Sequence, residues 1–113
     1  MRTQPYLDAF IKECTAAKPA DSAEKFMGWD DVVCVLAGAT LRTFLPELKE
    51  WFKLGALVIT TKRMELRKKL ENYAMEKELD FSSAQKAAEV IAGRINEKNI
   101  QKIIEALESS DSK

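Results

Sequence analysis

Two cysteines are the strongest nucleophiles in this 113-residue sequence, which contains no histidine. A cysteine becomes reactive as a thiolate, which forms beside a cation or at a helix N-terminus. Cys14 and Cys34 instead fall in the middle of helix-patterned stretches, on apolar faces. We therefore interpret both as small buried side chains. A disulfide between them would form only if the first two helices packed together, and nothing in the sequence requires it.

The adjacent carboxylates of Asp30 and Asp31 are the other candidate for chemistry. Carboxylates that share acid–base work converge on one substrate across a cleft, whereas neighbours on a helix point in different directions. We interpret the pair as charges that stabilise a helix N-terminus. The four glycines stand singly, so no phosphate-cradling loop is present. Without histidine or a catalytic cluster, the sequence predicts no enzyme activity, no metal site and no cofactor.

A basic run lies in the second half of the chain. Residues 62–69 contain five cations and one acid: Lys62, Arg63, Glu65, Arg67, Lys68 and Lys69. Residues 71–89 contain five acids and two lysines. Clustered cations supply the sequence-independent part of nucleic-acid affinity, so the run is a candidate phosphate or nucleic-acid patch. The alternative is a solvated face whose basic half meets the acidic half of a neighbour, and the lack of an aromatic residue in the run favours that alternative.

Trp29, Trp51 and Phe52 are the candidate partner-binding residues. Aromatic side chains anchor both cores and interfaces, and placement in the core is the default for each of them. However, the apolar circumference of the Val32–Ile59 segment is large for a domain this small. We therefore expect part of it to be covered by a protein partner, most simply a second copy of the chain.

Composition bounds the class of protein. Lysine plus arginine equals aspartate plus glutamate, so any attraction to nucleic acid or anionic lipid has to come from a local patch. Asp8, Lys12 and Glu13 interrupt the region where a signal peptide needs an apolar core. Two cysteines are too few for a disulfide scaffold, which predicts a reducing cytoplasm. The central apolar blocks, Val32–Leu41 and Trp51–Ile59, are each about half the ~20 residues that span a bilayer, so no membrane segment is expected.

Helical periodicity dominates the chain, and no stretch alternates as a half-buried strand does. The sequence predicts an all-α fold, a compact bundle of about five helices around a central helical hairpin hinged at Pro46. The arms of this hairpin are Val32–Leu45 and Pro46–Ile59. We expect the second arm to continue as one helix to Leu79, with a kink near Thr60 in a run of β-branched residues. Residues 1–108 are expected to form a single domain, and 109–113 a disordered tail.

Apolar stripes predict the remaining helices. The first is expected from Pro5 to about Ala17, and two pairs, Asp21–Glu24 and Ser82–Gln85, have the spacing of a capping box. The predicted stripe of the first helix is Tyr6, Phe10, Cys14 and Ala17. The later stripes are Leu66, Leu70, Tyr73 and Ala74, then Ala84, Ala88, Ile91 and Ile95, then Ile100, Ile103, Ile104 and Leu107.

The functional hypothesis follows from the missing chemistry and from the abundant apolar surface. We expect a non-enzymatic helical interaction or adapter protein that self-associates through a hydrophobic helix face. The alternative from another class is a nucleic-acid-binding regulator that uses the Lys62–Lys69 segment. In either case the side chains of Leu57 and Ile59 are expected in the core.

Overall fold

A computed structural model describes residues 5–19, 26–55 and 57–111, and no strand occurs in those ranges. The elements in chain order are α1 (Pro5–Ala16), α2 (Trp29–Cys34), a π-helical segment (Val35–Thr40), α3 (Leu41–Thr43), α4 (Leu45–Leu54), α5 (Val58–Thr61), α6 (Arg63–Glu76), α7 (Phe81–Arg94) and α8 (Ile100–Asp111). The predicted all-α class is confirmed. The radius of gyration, 13.5 Å, is that of a compact domain of this length. Within these ranges no helix combines the length and the apolar character that a membrane crossing requires.

Helix α1 packs one stripe of side chains into the core: Leu7, Phe10 and Cys14. Tyr6, expected on this stripe, is instead 36% exposed, because Leu7 continues the helical spacing back from Phe10. At the other end of α1, the indole Nε1 of Trp29 donates a hydrogen bond to the backbone oxygen of Thr15, 2.8 Å away. This bond ties the end of α1 to the first residue of α2.

The central apolar segment comprises α2, the π-helical segment and α3. It begins after Gly28, whose φ of +65° is a conformation that favours glycine. The predicted capping pair Asp21–Glu24 lies outside the described residues. The buried side chains cover most of the circumference: Trp29, Val32, Val33, Leu36, Ala37, Thr40 and Leu41. The segment is therefore enclosed on several sides, although no sequence signal predicted its π-helical turn, which is a rare conformation.

The chain changes direction at Phe44, whose φ and ψ of −96° and 14° separate α3 from α4. Pro46 lies in the first turn of α4, where its missing N–H is tolerated. The predicted hinge is thus found two residues before Pro46. The two arms then pack mainly against other helices, α2 against α7 and α1, and α4 against α8. The central hairpin is therefore an angled junction whose arms are held by their neighbours.

The prediction of one helix over Pro46–Leu79 is wrong. Helix α4 ends at Gly55, whose φ and ψ of 133° and 136° are strained for any residue with a Cβ. A second break lies at Lys62, with φ −94° and ψ 4°, between α5 and α6. The β-branched run at 58–61 is confined to the short helix α5, in keeping with its weak helix propensity.

Helix α7 begins at a different cap from the one predicted. The carboxylate of Asp80 accepts the backbone N–H of Ser83 at 3.0 Å, so Asp80 is the N-cap and the Ser82–Gln85 capping box is wrong. The hydroxyl of Ser83 is buried and donates to the backbone oxygen of Met27 at 2.8 Å. This bond fixes the start of α7 against the chain that leads into α2.

The apolar stripes of the last three helices are buried nearly as predicted. Only Tyr73 is half-buried; the other predicted side chains are in the core: Leu66, Leu70, Ala74, Ala84, Ala88, Ile91, Ile95, Ile100, Ile103, Ile104 and Leu107. Helix α8 continues to Asp111, so it ends later than the predicted start of the tail at residue 109.

Helix α7 packs against α6, α2, α1 and the π-helical segment. Its buried face consists mostly of small side chains: Ser83, Ala84, Ala87, Ala88, Ile91 and Ala92. Small side chains at a helix contact shorten the distance between the helix axes. The centre of the bundle is therefore α7 with α2 and the π-helical segment, whereas the predicted centre was the Val32–Ile59 hairpin.

The two side chains expected in the core near the end of the second arm have different environments. Ile59 is 1% exposed, but Leu57 is 66% exposed, because the break at Gly55 places it in a turn. Replacing Ile59 by alanine should lower the free energy of unfolding by about 2–5 kcal/mol, through lost apolar contact and a residual cavity. Leu57→Ala should cost less than about 0.5 kcal/mol. Equilibrium urea denaturation measures both, and equal losses would contradict this assignment of the buried face.

Candidate interaction surface

Neither of the two free thiols is activated. Cys14 is fully buried, and burial raises the pKa of its thiol to about 11. The prediction that Cys34 is buried is wrong, because it lies on the exposed side of α2 with Asp30 and Asp31. Partial burial, then the charges of Asp31 and Asp30, raise the pKa of the Cys34 thiol. A thiol with a raised pKa forms less thiolate at neutral pH, so both are weak nucleophiles.

The carboxylates of Asp30 and Asp31 are exposed in the first turn of α2. Negative charge is favourable there because it faces the unpaired N–H groups of the helix. Across the described ranges, no group of three or more cysteine, aspartate or glutamate side chains lies close enough together to hold a metal ion.

The first arginine of the basic run is bonded to the end of another helix. The guanidinium of Arg63 donates from Nε to the backbone oxygen of Ala92 and from a terminal nitrogen to that of Ile95, both at 3.0 Å. These carbonyls belong to the C-terminal end of α7, where backbone oxygens lack helical partners and a cation is favourable. Arg63 is therefore a cap that joins α6 to α7.

Three further cations of the run also have partners within the chain. Lys62 lies 3.5 Å from Glu65 and 6.0 Å from the ring centre of Trp51. Arg67 pairs with Glu71 at 3.1 Å. Lys69 lies 3.9 Å from Glu47 and 5.5 Å from the ring centre of Phe44, whereas Lys68 is exposed. The geometry thus favours the alternative interpretation of the run, in which its charges meet acids and aromatic rings of the same fold.

The aromatic residues considered for partner binding lie mostly inside the chain. Trp29 is 2% and Trp51 6% exposed, so both indoles are covered by intramolecular contacts. Phe52 is half-buried and packs against the edge of the core. A surface that binds another protein would therefore have to consist mainly of side chains other than these three.

Large apolar side chains are exposed at other positions. Seven of the described residues belong to this group: Tyr6, Met27, Leu54, Leu57, Met64, Met75 and Phe81. Met75 and Phe81, each 60% exposed, line one groove of about 210 Å³ where α6 passes into α7. Leu79 and Ala84 contribute further apolar surface, and Glu71 and Gln85 complete the groove. We call this cavity the α6–α7 groove.

Sequence reasoning missed the α6–α7 groove because it followed the inward stripes. Met75 falls beside the buried stripe that contains Leu70 and Ala74, and Phe81 precedes the stripe that begins at Ala84. Helix positions that do not belong to the buried stripe face solvent. An apolar residue at such an outward position was the sequence signal that could have indicated the groove.

A second, wider groove of about 530 Å³ lies along α3 and α4. It is lined by the cations Arg42, Lys49 and Lys53 together with Glu50 and less polar neighbours. Lys49 pairs with Glu108 of α8 at 2.7 Å. Because the groove includes an acid and one of its lysines holds α8, its cations are partly neutralised within the fold.

No family model matches this sequence, no curated protein matches it, and no solved structure matches its fold.

The contact between Arg63 and α7 leads to a stability prediction. Arg63→Ala removes two donors from partly buried carbonyls, so the free energy of unfolding should fall by about 1–3 kcal/mol. Lys12→Ala, which changes an exposed cation on α1, should change it by less than about 0.5 kcal/mol. Urea denaturation compares the two variants. Equal effects would show that Arg63 is a solvated charge and not a cap.

Proposed function

We propose that this chain is a non-enzymatic helical interaction or adapter protein that self-associates through an apolar face around the α6–α7 groove. The observation that carries the proposal is the exposure of Met75 and Phe81 in one concave apolar site. Single exposed apolar residues are ordinary on protein surfaces, but large apolar side chains that share a groove are typical of a contact with another protein. Covering them would gain roughly 25 cal/mol for each Å² of apolar surface removed from water.

A second copy of the chain is the partner that fits the charge distribution best. The formal net charge is zero, so two copies do not repel each other as strongly charged proteins do. Helix α6, which contributes Met75, carries cations in its first half and Glu71 and Glu76 in its second. The surface of α6 therefore presents both positive and negative side chains to the same surface of a second copy. A chain with only two cysteines is typical of a reducing compartment, and we propose a cytoplasmic location on that ground.

Self-association is tested by sedimentation over a wide range of protein concentration. We expect a concentration-dependent dimer that Met75→Ser and Phe81→Ser each weaken, because both changes remove apolar contact area. Leu54→Ser is the matched control, since Leu54 is 65% exposed but lies outside the groove, on α4. A chain that stays monomeric at every concentration, or equal effects of all three variants, would contradict the proposal.

The alternative of a nucleic-acid-binding regulator loses support from the internal partners of the basic run. Its direct test is retention on heparin or DNA at low salt, where phosphate contacts are strongest. We expect little retention, and no change when Arg67, Lys68 and Lys69 are all replaced by glutamate. Strong retention that this triple substitution abolishes would favour the nucleic-acid function instead.

A further inference from the structure

The outward side of α6 carries four side chains at intervals of four, three and four residues: Met64, Lys68, Glu71 and Met75. Intervals that alternate between four and three place side chains on one stripe, the pattern of a seam between two helices. Met64 is 62% and Met75 60% exposed, Lys68 is exposed, and Glu71 is half-buried. The inward stripe of the same helix is already packed in the core. We call these four residues the outer stripe.

The outer stripe is complementary to itself when one copy is reversed. A twofold axis midway between Lys68 and Glu71 places each lysine against the glutamate of the other copy, and Met64 of one copy against Met75 of the other. In such a closed interface every contact occurs twice. A parallel pairing would instead bring lysine to lysine and glutamate to glutamate, and like charges repel. The order of charges therefore selects the antiparallel arrangement.

The α6–α7 groove gives the reversed copy an apolar site to occupy. Met75 lies in its lining, next to Leu79 and Phe81. In the antiparallel arrangement, Met64 of the second copy is opposite Met75, at this groove. Methionine is unbranched and flexible, and it fills irregular apolar spaces well.

We propose that two copies pair through their outer stripes in antiparallel orientation, with Met64 of each copy against Met75 and Phe81 of the other. The proposal rests on the self-association proposed above and defines its contact geometry. One carboxylate oxygen of Glu71, Oε2, already accepts a hydrogen bond from Nε of Arg67 in the same helix, at 3.1 Å. A carboxylate has two oxygens and several acceptor positions, so a contact with Lys68 of the second copy is compatible with that pair.

Charge reversal tests the orientation of the two helices. K68E places two carboxylates opposite each other at both contacts, and E71K places two ammonium groups opposite each other. Each variant alone should dimerise roughly tenfold more weakly than the wild type, because attraction becomes repulsion twice. In an equimolar mixture both contacts are attractive again, so a mixed dimer should form with affinity near that of the wild type. Sedimentation with one variant fluorescently labelled measures this recovery.

The mixture also controls for damage within each copy. E71K removes the intrahelical pair with Arg67, and mixing with K68E cannot restore that pair. Recovery in the mixture can therefore come only from contacts between copies. If the variants and their mixture all dimerise like the wild type, the proposed orientation is overturned while self-association stands. A wild-type chain that remains monomeric overturns both proposals.

Disulfide trapping provides an independent test of the register. M64C and M75C are each made with C34S, because Cys34 is the exposed native thiol. Eleven residues of α-helix span about 16 Å, so in the antiparallel dimer residue 64 is that far from residue 64 of the second copy. A disulfide needs Cα atoms within about 7 Å. Neither variant should cross-link with itself under mild oxidation, whereas a mixture of the two should form a covalent dimer.

The outcomes of the trapping experiment separate the register from self-association. A covalent dimer that appears only in the mixture supports residue 64 against residue 75. Cross-linking of M64C with itself, or no cross-link in a mixture that sediments as a dimer, would overturn this register and leave self-association intact.

Discussion

Close packing against the small face of α7 is the constraint on which the rest of the structure depends. Alanine side chains at the centre of that face let α6 and α2 approach the helix closely. Two polar contacts then fix its ends. Ser83 bonds the start of α7 to the backbone that leads into α2, and Arg63 bonds its last carbonyls to the start of α6. A helix held at both ends and packed along one side leaves its neighbours little freedom, so α6 presents a defined face to solvent.

The class of fold and the inward faces were predictable because both depend on local periodicity. The stripes that contain Ile91 and Ile103 repeat every three or four residues, and such a repeat has one buried side wherever the helix packs. The breaks were not predictable in the same way. A single glycine such as Gly55 is compatible with a helix interior at modest cost, and tertiary contacts decide whether the helix ends there. Leu57 was assigned to the wrong side for that reason, since a turn has no helical period.

The charged residues of the basic run show why the sequence alone left the kind of site undecided. The basic run indicated either a phosphate patch or an internal charge network, and its spacing contains nothing that separates the two. The contacts that favour an internal charge network include groups from distant parts of the chain, such as Glu47 and the carbonyl of Ala92. In the same way, Trp29 and Trp51 are large enough to anchor an interface or a core, and the contacts around them place both in the core.

Helix α6 has one face that is buried in the bundle and an opposite face that is exposed to solvent. Leu66, Leu70 and Ala74 are buried in the core, so the opposite side of the helix faces solvent. One exposed methionine on that side would be unremarkable. Two of them, Met64 and Met75, lie at matched ends of one stripe, with opposite charges between them. Glu71 pairs with Arg67 within the chain, whereas both methionines are exposed. In the pairing that we propose, a reversed second copy would cover the methionines and bring its Lys68 to Glu71.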